Sequence, residues 1–144
     1  MNDITESKKE ITPIDILNLK NELLKIDQID LKIEHEFADG VYSRKMYVPA
    51  GSFVIGKMHR FDTYNILLQG DVSVYAGDGV NRIKAPYTFT SEPMVQKMAY
   101  FHEDSIWINI HPTEETDLEK IEEKFIVPES EIYLLDKETC KCLG

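Results

Sequence analysis

The sequence predicts a single, mainly β domain, a small barrel or jelly roll with a helix at each end. Short runs of strand-forming residues recur between turn signals at spacings of roughly 8–12 residues through the middle of the chain. Helical periodicity is confined to the two flanks. A chain of 144 residues with 42% hydrophobic and 29% charged side chains has the size and make-up of one ordinary globular domain with its own core.

Residues 1–11 are polar and expected to be disordered; residues 12–135 form the domain, and residues 136–144 a polar tail. Thr12 and Pro13 open a helix: threonine can cap, proline suits the first helical position, and Asp15 favours the positive end of the dipole. Ile16, Leu19, Leu23 and Ile26 recur at helical spacing and predict the buried stripe, broadened by Leu17 and Leu24. From Ile29 the period becomes two. Ile29, Leu31, Ile33, His35 and Phe37 alternate with acids and a lysine, which puts His35 on the apolar face of a strand. Asp39-Gly40 is a hairpin turn, and residues 41–48 return as the next strand.

After the turn at 49–51, residues 52–61 read as one strand carrying Phe53, Ile55, Lys57, His59 and Phe61 on one face. Gly56 permits a bend within it. Asn65–Leu68 and Val72–Tyr75 are strands about a Gly70-Asp71 turn, and the meander continues through residues 80–93. Met94–Phe101 and residues 105–111 are the last strands; in the latter Ile106, Ile108 and Ile110 oppose Trp107, Asn109 and His111. Thr116 and Glu119 form a capping box for a short helix with Leu118, Ile121 and Phe125 inward. Residues 131–135 read as an edge strand.

The 26 acidic against 16 basic residues give a net charge of −10, which opposes binding to a nucleic-acid polymer. No apolar run approaches the ~20 residues of a membrane span, and the N-terminus lacks the apolar centre of a secretory signal. Cys140 and Cys142 stand one residue apart, too close for an unstrained disulfide, and read as reduced thiols of a cytoplasmic protein.

The stretch 49–75 resembles the first motif of the cupin superfamily, G-x5-H-x-H-x3-4-E-x6-G. With Gly70 as the last glycine, the motif falls on Lys57-x-His59, then Thr63, then residues 65–70. The second cupin motif falls on residues 91–101, with Pro93 matching and Lys97 standing where a third histidine would be. More closely, the chain resembles single-domain cupin-like proteins of tailed phages and bacteria. The residues that carry this are His35 and Phe37, Gly40, Tyr42 and Arg44, Pro49 to Gly51, Lys57 and His59, Asn65 to Leu67, Ala85 to Phe89, Ser91 and Pro93, Ala99 and Tyr100, and Glu103, Asp104 and Trp107. The resemblance implies a cupin-like jelly-roll barrel, a homodimer paired through its sheets and, for a viral protein, residence in the host cytoplasm.

A cupin metal site needs about three imidazoles and a carboxylate on one ion. Of those positions this chain keeps His59 alone; Lys57, Thr63 and Lys97 occupy the others. A protonated lysine is no ligand and repels a divalent cation. The expectation is therefore a binding module without catalytic metal, its pocket lined by Lys57, His59, Asn65, Lys97, Tyr100 and Trp107. Its ligand would be a small anion such as a nucleotide or sugar phosphate, as for a phage accessory or counter-defence protein. Alternatives from other classes stay open: an enzyme, either with a divalent metal rebuilt from His59 and Asp62 with His35 or His111, or metal-free with His59 as base and Tyr100 as acid; and a structural homodimer that buries Trp107 and the isoleucine face.

Overall fold

The computed structural model describes residues 11–135; the expectations for residues 1–10 and 136–144, with Cys140 and Cys142, lie outside the described residues. Helix α1 (Pro13–Leu23) starts as expected. The Thr12 hydroxyl accepts from the Asp15 N–H at 3.2 Å, and the Asp15 carboxylate accepts from the Thr12 N–H at 2.9 Å. Its buried face is narrower than the periodicity predicts. Ile16 and Leu17 are buried, whereas Leu19 is 39% exposed and Ile26, beyond the helix end, 63%. The helix docks by its first two turns only, Leu17 and Ile14 packing on Met58, Val127 and Ile132.

Nine strands follow: β1 (Lys32–Ala38), β2 (Val41–Val48), β3 (Phe53–Ile55), β4 (Thr63–Gln69), β5 (Asp71–Tyr75), β6 (Val80–Lys84), β7 (Tyr87–Ser91), β8 (Met98–Phe101) and β9 (Ser105–Pro112). They form two antiparallel sheets, ordered β1-β2-β9-β4-β7 and β3-β8-β5-β6. The first strand begins three residues later than its alternation suggests, and Ile29 is exposed. Val48, Leu67, Val72, Val74, Ile83, Ala99, Phe101 and Trp107 fill the space between the sheets.

The predicted strand over 52–61 is cut short. Alternation stops at Gly56, whose N–H still reaches the Lys97 carbonyl at 2.9 Å. The chain then leaves the sheet, turning Met58 inward at 2% exposure and leaving Lys57 and Phe61 exposed. Residues 58–60 pair instead with the chain that follows helix α2 (Leu118–Phe125): His59 bridges Ile126, the Val127 N–H reaches the Met58 carbonyl, and the Arg60 N–H that of Phe125.

Asp117, not Thr116, caps α2, its carboxylate accepting from the Glu119 N–H at 2.9 Å. Thr116 instead donates its N–H to Glu115 Oε1. Residues 129–135 are helical rather than an edge strand. The Glu131 and Ile132 N–H groups both reach the Pro128 carbonyl, at 3.0 and 3.2 Å. Arg60 makes a bidentate pair with Glu131 at 2.9 and 3.0 Å, and Ile132 is buried beside Leu17.

Gly70 joins β4 to β5 at φ +117°, where an added Cβ would collide with Ser105 Oγ and stand 3.0 Å from the Ser105 Cα. Gly70→Ala is therefore expected to destabilise the fold by about 2–4 kcal/mol, the combined cost of a left-handed backbone and displaced chain. Chemical denaturation measures it; a loss below about 0.5 kcal/mol, the level of an ordinary surface change, would contradict this account of the turn.

Candidate functional site

Between the sheets lies a cavity of about 440 Å³, closed at one side by α2 through Leu118, Ile121, Phe125 and Ile126. Strand alternation builds its five-stranded wall. Tyr42, Arg44 and Met46 of β2 point inward and pair in register with His111, Asn109 and Trp107 of β9. His35 and Ile33 of β1 stand beside Arg44 and Met46. The opposite wall is Val54, Val74, Lys97, Ala99 and Phe101. Most of this lining is apolar, so its polar groups decide the chemistry.

Of the residues singled out from sequence, Lys57, His59, Lys97 and Trp107 line the cavity; Asn65, Tyr100 and Asp62 do not. Lys57 sits at the rim, exposed and ion-paired with Glu122 of α2. Asn65 is fully buried behind the wall as a structural junction. Its Nδ2 donates toward the Thr63 and Phe89 carbonyls and Ser91 Oγ, and its Oδ1 accepts from Trp107 Nε1 at 3.2 Å and Asn109 Nδ2 at 2.5 Å. Tyr100 faces outward against His102, with ring centroids 4.9 Å apart, because β8 alternates Ala99 and Phe101 inward. A His59–Tyr100 acid–base pair is therefore not assembled. Asp62 is exposed, so the His59–Asp62 metal pair does not converge either. Trp107 points into the cavity while Ile106, Ile108 and Ile110 point out, so one sheet surface cannot bury both.

The sequence reading missed Arg44 as a site residue. It lines the cavity, and its guanidinium has no hydrogen bond or ion pair among the described residues. Its signal was present: alternation from the buried Tyr42 carries Arg44 to the inner face. Tyr42 and Asn109 were missed likewise, whereas His35 and His111, named for a rebuilt metal site, both line the cavity. Four rings form a column across the wall. His59 stacks on His111 at 5.3 Å between centroids, His111 on Tyr42 at 5.8 Å, and Tyr42 on His35 at 5.8 Å, with Tyr42 Oη and His35 Nδ1 at 2.7 Å.

Two cations face this cavity without a carboxylate partner among the described residues. Lys97 is 9% exposed, and among those residues its Nζ reaches only Ser91 Oγ, at 3.3 Å. Burial holds its pKa down, to about 8. Burial pushes the imidazoles of His59 and His111 down, to about 3 and about 4, aided by the charges of Lys97 and Arg44. Both rings are therefore neutral at pH 7, and the buried Nδ1 of His59 has no hydrogen-bond partner among the described residues. Among the described residues no group of three or more His, Cys, Asp or Glu is placed to hold a metal ion. The donor set does not suit one: the two cations occupy the space where carboxylates would offset a divalent charge.

Two antiparallel sheets closed over such a cavity define a cupin-type jelly roll. The fold is shared with KdgF of a Halomonas species (TM-score 0.51, 16% identity, 66% of this chain and 93% of that chain), a cupin superfamily protein of Desulfitobacterium hafniense (0.50, 13%, 63% and 84%) and the cupin domain of Schizosaccharomyces pombe Cnp3 (0.50, 18%, 71% and 77%). At these identities the likeness is one of fold. Neither a protein-family model nor a curated protein sequence matches the chain.

Proposed function

We propose that this cupin-fold protein binds a small organic anion and does so without a catalytic metal. The observation that carries this is the pair Arg44 and Lys97, two cations facing one largely apolar cavity with no carboxylate partner, in a chain of net charge −10. A buried charge costs free energy unless something neutralises it, and a bound anion would supply the missing partner. His59 and Asn109 add neutral polar groups, and Trp107 and Phe125 offer aromatic faces to an apolar or ring-shaped ligand body. Phosphate or carboxylate suits the cations. In a phage accessory or counter-defence protein, such binding would serve to sequester a host metabolite.

Thermal denaturation in the presence of nucleoside monophosphates, sugar phosphates and aryl carboxylates tests the proposal. A ligand at about 100 times its Kd is expected to add about 2.7 kcal/mol of stability and raise Tm by several degrees. If no anion in these classes shifts Tm, the anion cavity is wrong.

We further propose a homodimer through the outer face of the five-stranded sheet, where Tyr47, Tyr64, Ile66, Ile106, Ile108 and Ile110 stand together. Ile108→Glu is expected to shift the mass measured by light scattering from dimer to monomer. A monomeric parent protein at micromolar concentration removes this reading.

A further inference from the structure

The site holds a second chemical possibility besides charge pairing. Lys97 precedes β8, and its backbone is pinned by the Gly56 N–H on its carbonyl at 2.9 Å. Among the described residues its Nζ has one partner, the hydroxyl of Ser91, which is itself held by Asn65 Nδ2 at 3.1 Å. One side of the amine is thus tethered to a neutral group and the rest is left to the cavity, with no carboxylate of the described residues paired to it. In the same cavity stands His59, a neutral imidazole whose buried Nδ1 has no partner among the described residues. An amine that nucleophilic chemistry can use needs these things: burial, no anionic partner, a neighbouring hydrogen-bonding group and room for a substrate.

We propose that Lys97 is a covalent attachment site, its amine condensing with the carbonyl of a 2-oxo acid held in this cavity to give an imine. The proposal rests on the anion-binding reading for the seating of the carboxylate by Arg44. The amine lone pair forms the C–N bond and the carbonyl π pair moves to oxygen; one N–H proton passes to that oxygen to give the carbinolamine. The hydroxyl then takes up a second proton and leaves as water while the nitrogen lone pair closes the C=N bond and the remaining N–H proton is released, so that one water is formed for each imine and no oxidant or reductant is consumed. The burial that lowers the lysine pKa to about 8 leaves an appreciable share of free amine at neutral pH. His59 offers its unpaired Nδ1 to the same cavity as a hydrogen-bonding site for the hydroxyl of the intermediate.

The test is trapping with sodium cyanoborohydride in the presence of phenylpyruvate or pyruvate, followed by peptide mass spectrometry. The expected result is one reduced adduct per chain at Lys97, in preference to the exposed lysines, and loss of that preference in unfolded protein. Lys97→Arg, checked for a cooperative thermal transition, should lose the adduct. Phenyllactate, which has the carboxylate and ring but no carbonyl, separates the two proposals. If phenyllactate raises Tm but no adduct appears at Lys97, the imine is wrong and the anion site stands. If neither ligand shifts Tm and no adduct forms, both fail. Adducts spread evenly over the surface lysines also overturn the imine.

Discussion

Replacing Arg44 with alanine is expected to weaken organic-anion binding roughly 10- to 100-fold, the value of a charge-assisted hydrogen bond of about 1.5–3 kcal/mol. The Arg44 side chain has no hydrogen-bond or ion-pair partner among the described residues, so the unliganded variant should keep its parent's Tm within a few degrees. Removing its charge also removes one of the fields that hold His59 and His111 neutral, so both imidazoles should titrate at higher pH. Calorimetry of binding and NMR titration of the histidines measure the two effects separately. Unchanged affinity in Arg44→Ala would mean that the anion does not sit against β2, and the proposed orientation would have to be abandoned.

Lys97→Met should act in opposite directions on stability and binding. The side chains are similar in length, but methionine removes a cation that is buried without a counter-charge. The drop of the lysine pKa from 10.5 to about 8 is a stability statement. The unfolded chain binds the proton more tightly than the folded one, so the parent protein gains stability as pH rises between about 8 and 10.5. Below that window the cost is fully present, roughly 3 kcal/mol. At pH 7 Lys97→Met should therefore be the more stable protein, by a Tm increase of roughly 5–10 °C, while losing its response to anions. The two stability curves should approach each other above pH 10. A variant less stable than its parent at pH 7 would show that Lys97 has a stabilising partner in solution.

Much of the architecture was legible because strand alternation is a local, geometric signal. Counting alone separates Trp107, Asn109 and His111 from the three isoleucines of their strand, and the structure makes the former the inner face, opposite Met46, Arg44 and Tyr42. Counting fails where the chain leaves a sheet. Lys57, His59 and Phe61 share parity with Ile55, yet after Gly56 the backbone turns to pair with residues 125–127, a partner far away in sequence. The helical segment 129–135 was misread for a related reason. Its pattern also fits a short strand, and what selects the helix is the seat made for Ile132 by Leu17 and Met58.

At the site, the motif comparison found His59 and Lys97, which converge on the cavity from distant parts of the chain. Asn65 was read as a ligand group because it is polar and sits in the motif. Its position on β4 makes it a bolt behind the wall instead, satisfying the indole of Trp107 and the amide of Asn109. Tyr100 was assigned by proximity in sequence, and parity along β8 turns it outward. Arg44 lay in plain sight within the motif, but only the absence of a carboxylate around it, a three-dimensional fact, gives it a role.

The pairing of residues 58–60 with 125–127 has an implication for how the protein comes into being. The strands can assemble as the chain emerges, but the chamber has no closed side until α2 and residues 126–132 swing back and lock through Ile126, Val127 and the Arg60–Glu131 clasp. The cavity is thus completed by the last of the described elements along the chain. A guest molecule that touches α2 would in turn hold that closing flap shut, so occupancy should protect the 118–132 region from proteases more than it protects the strands.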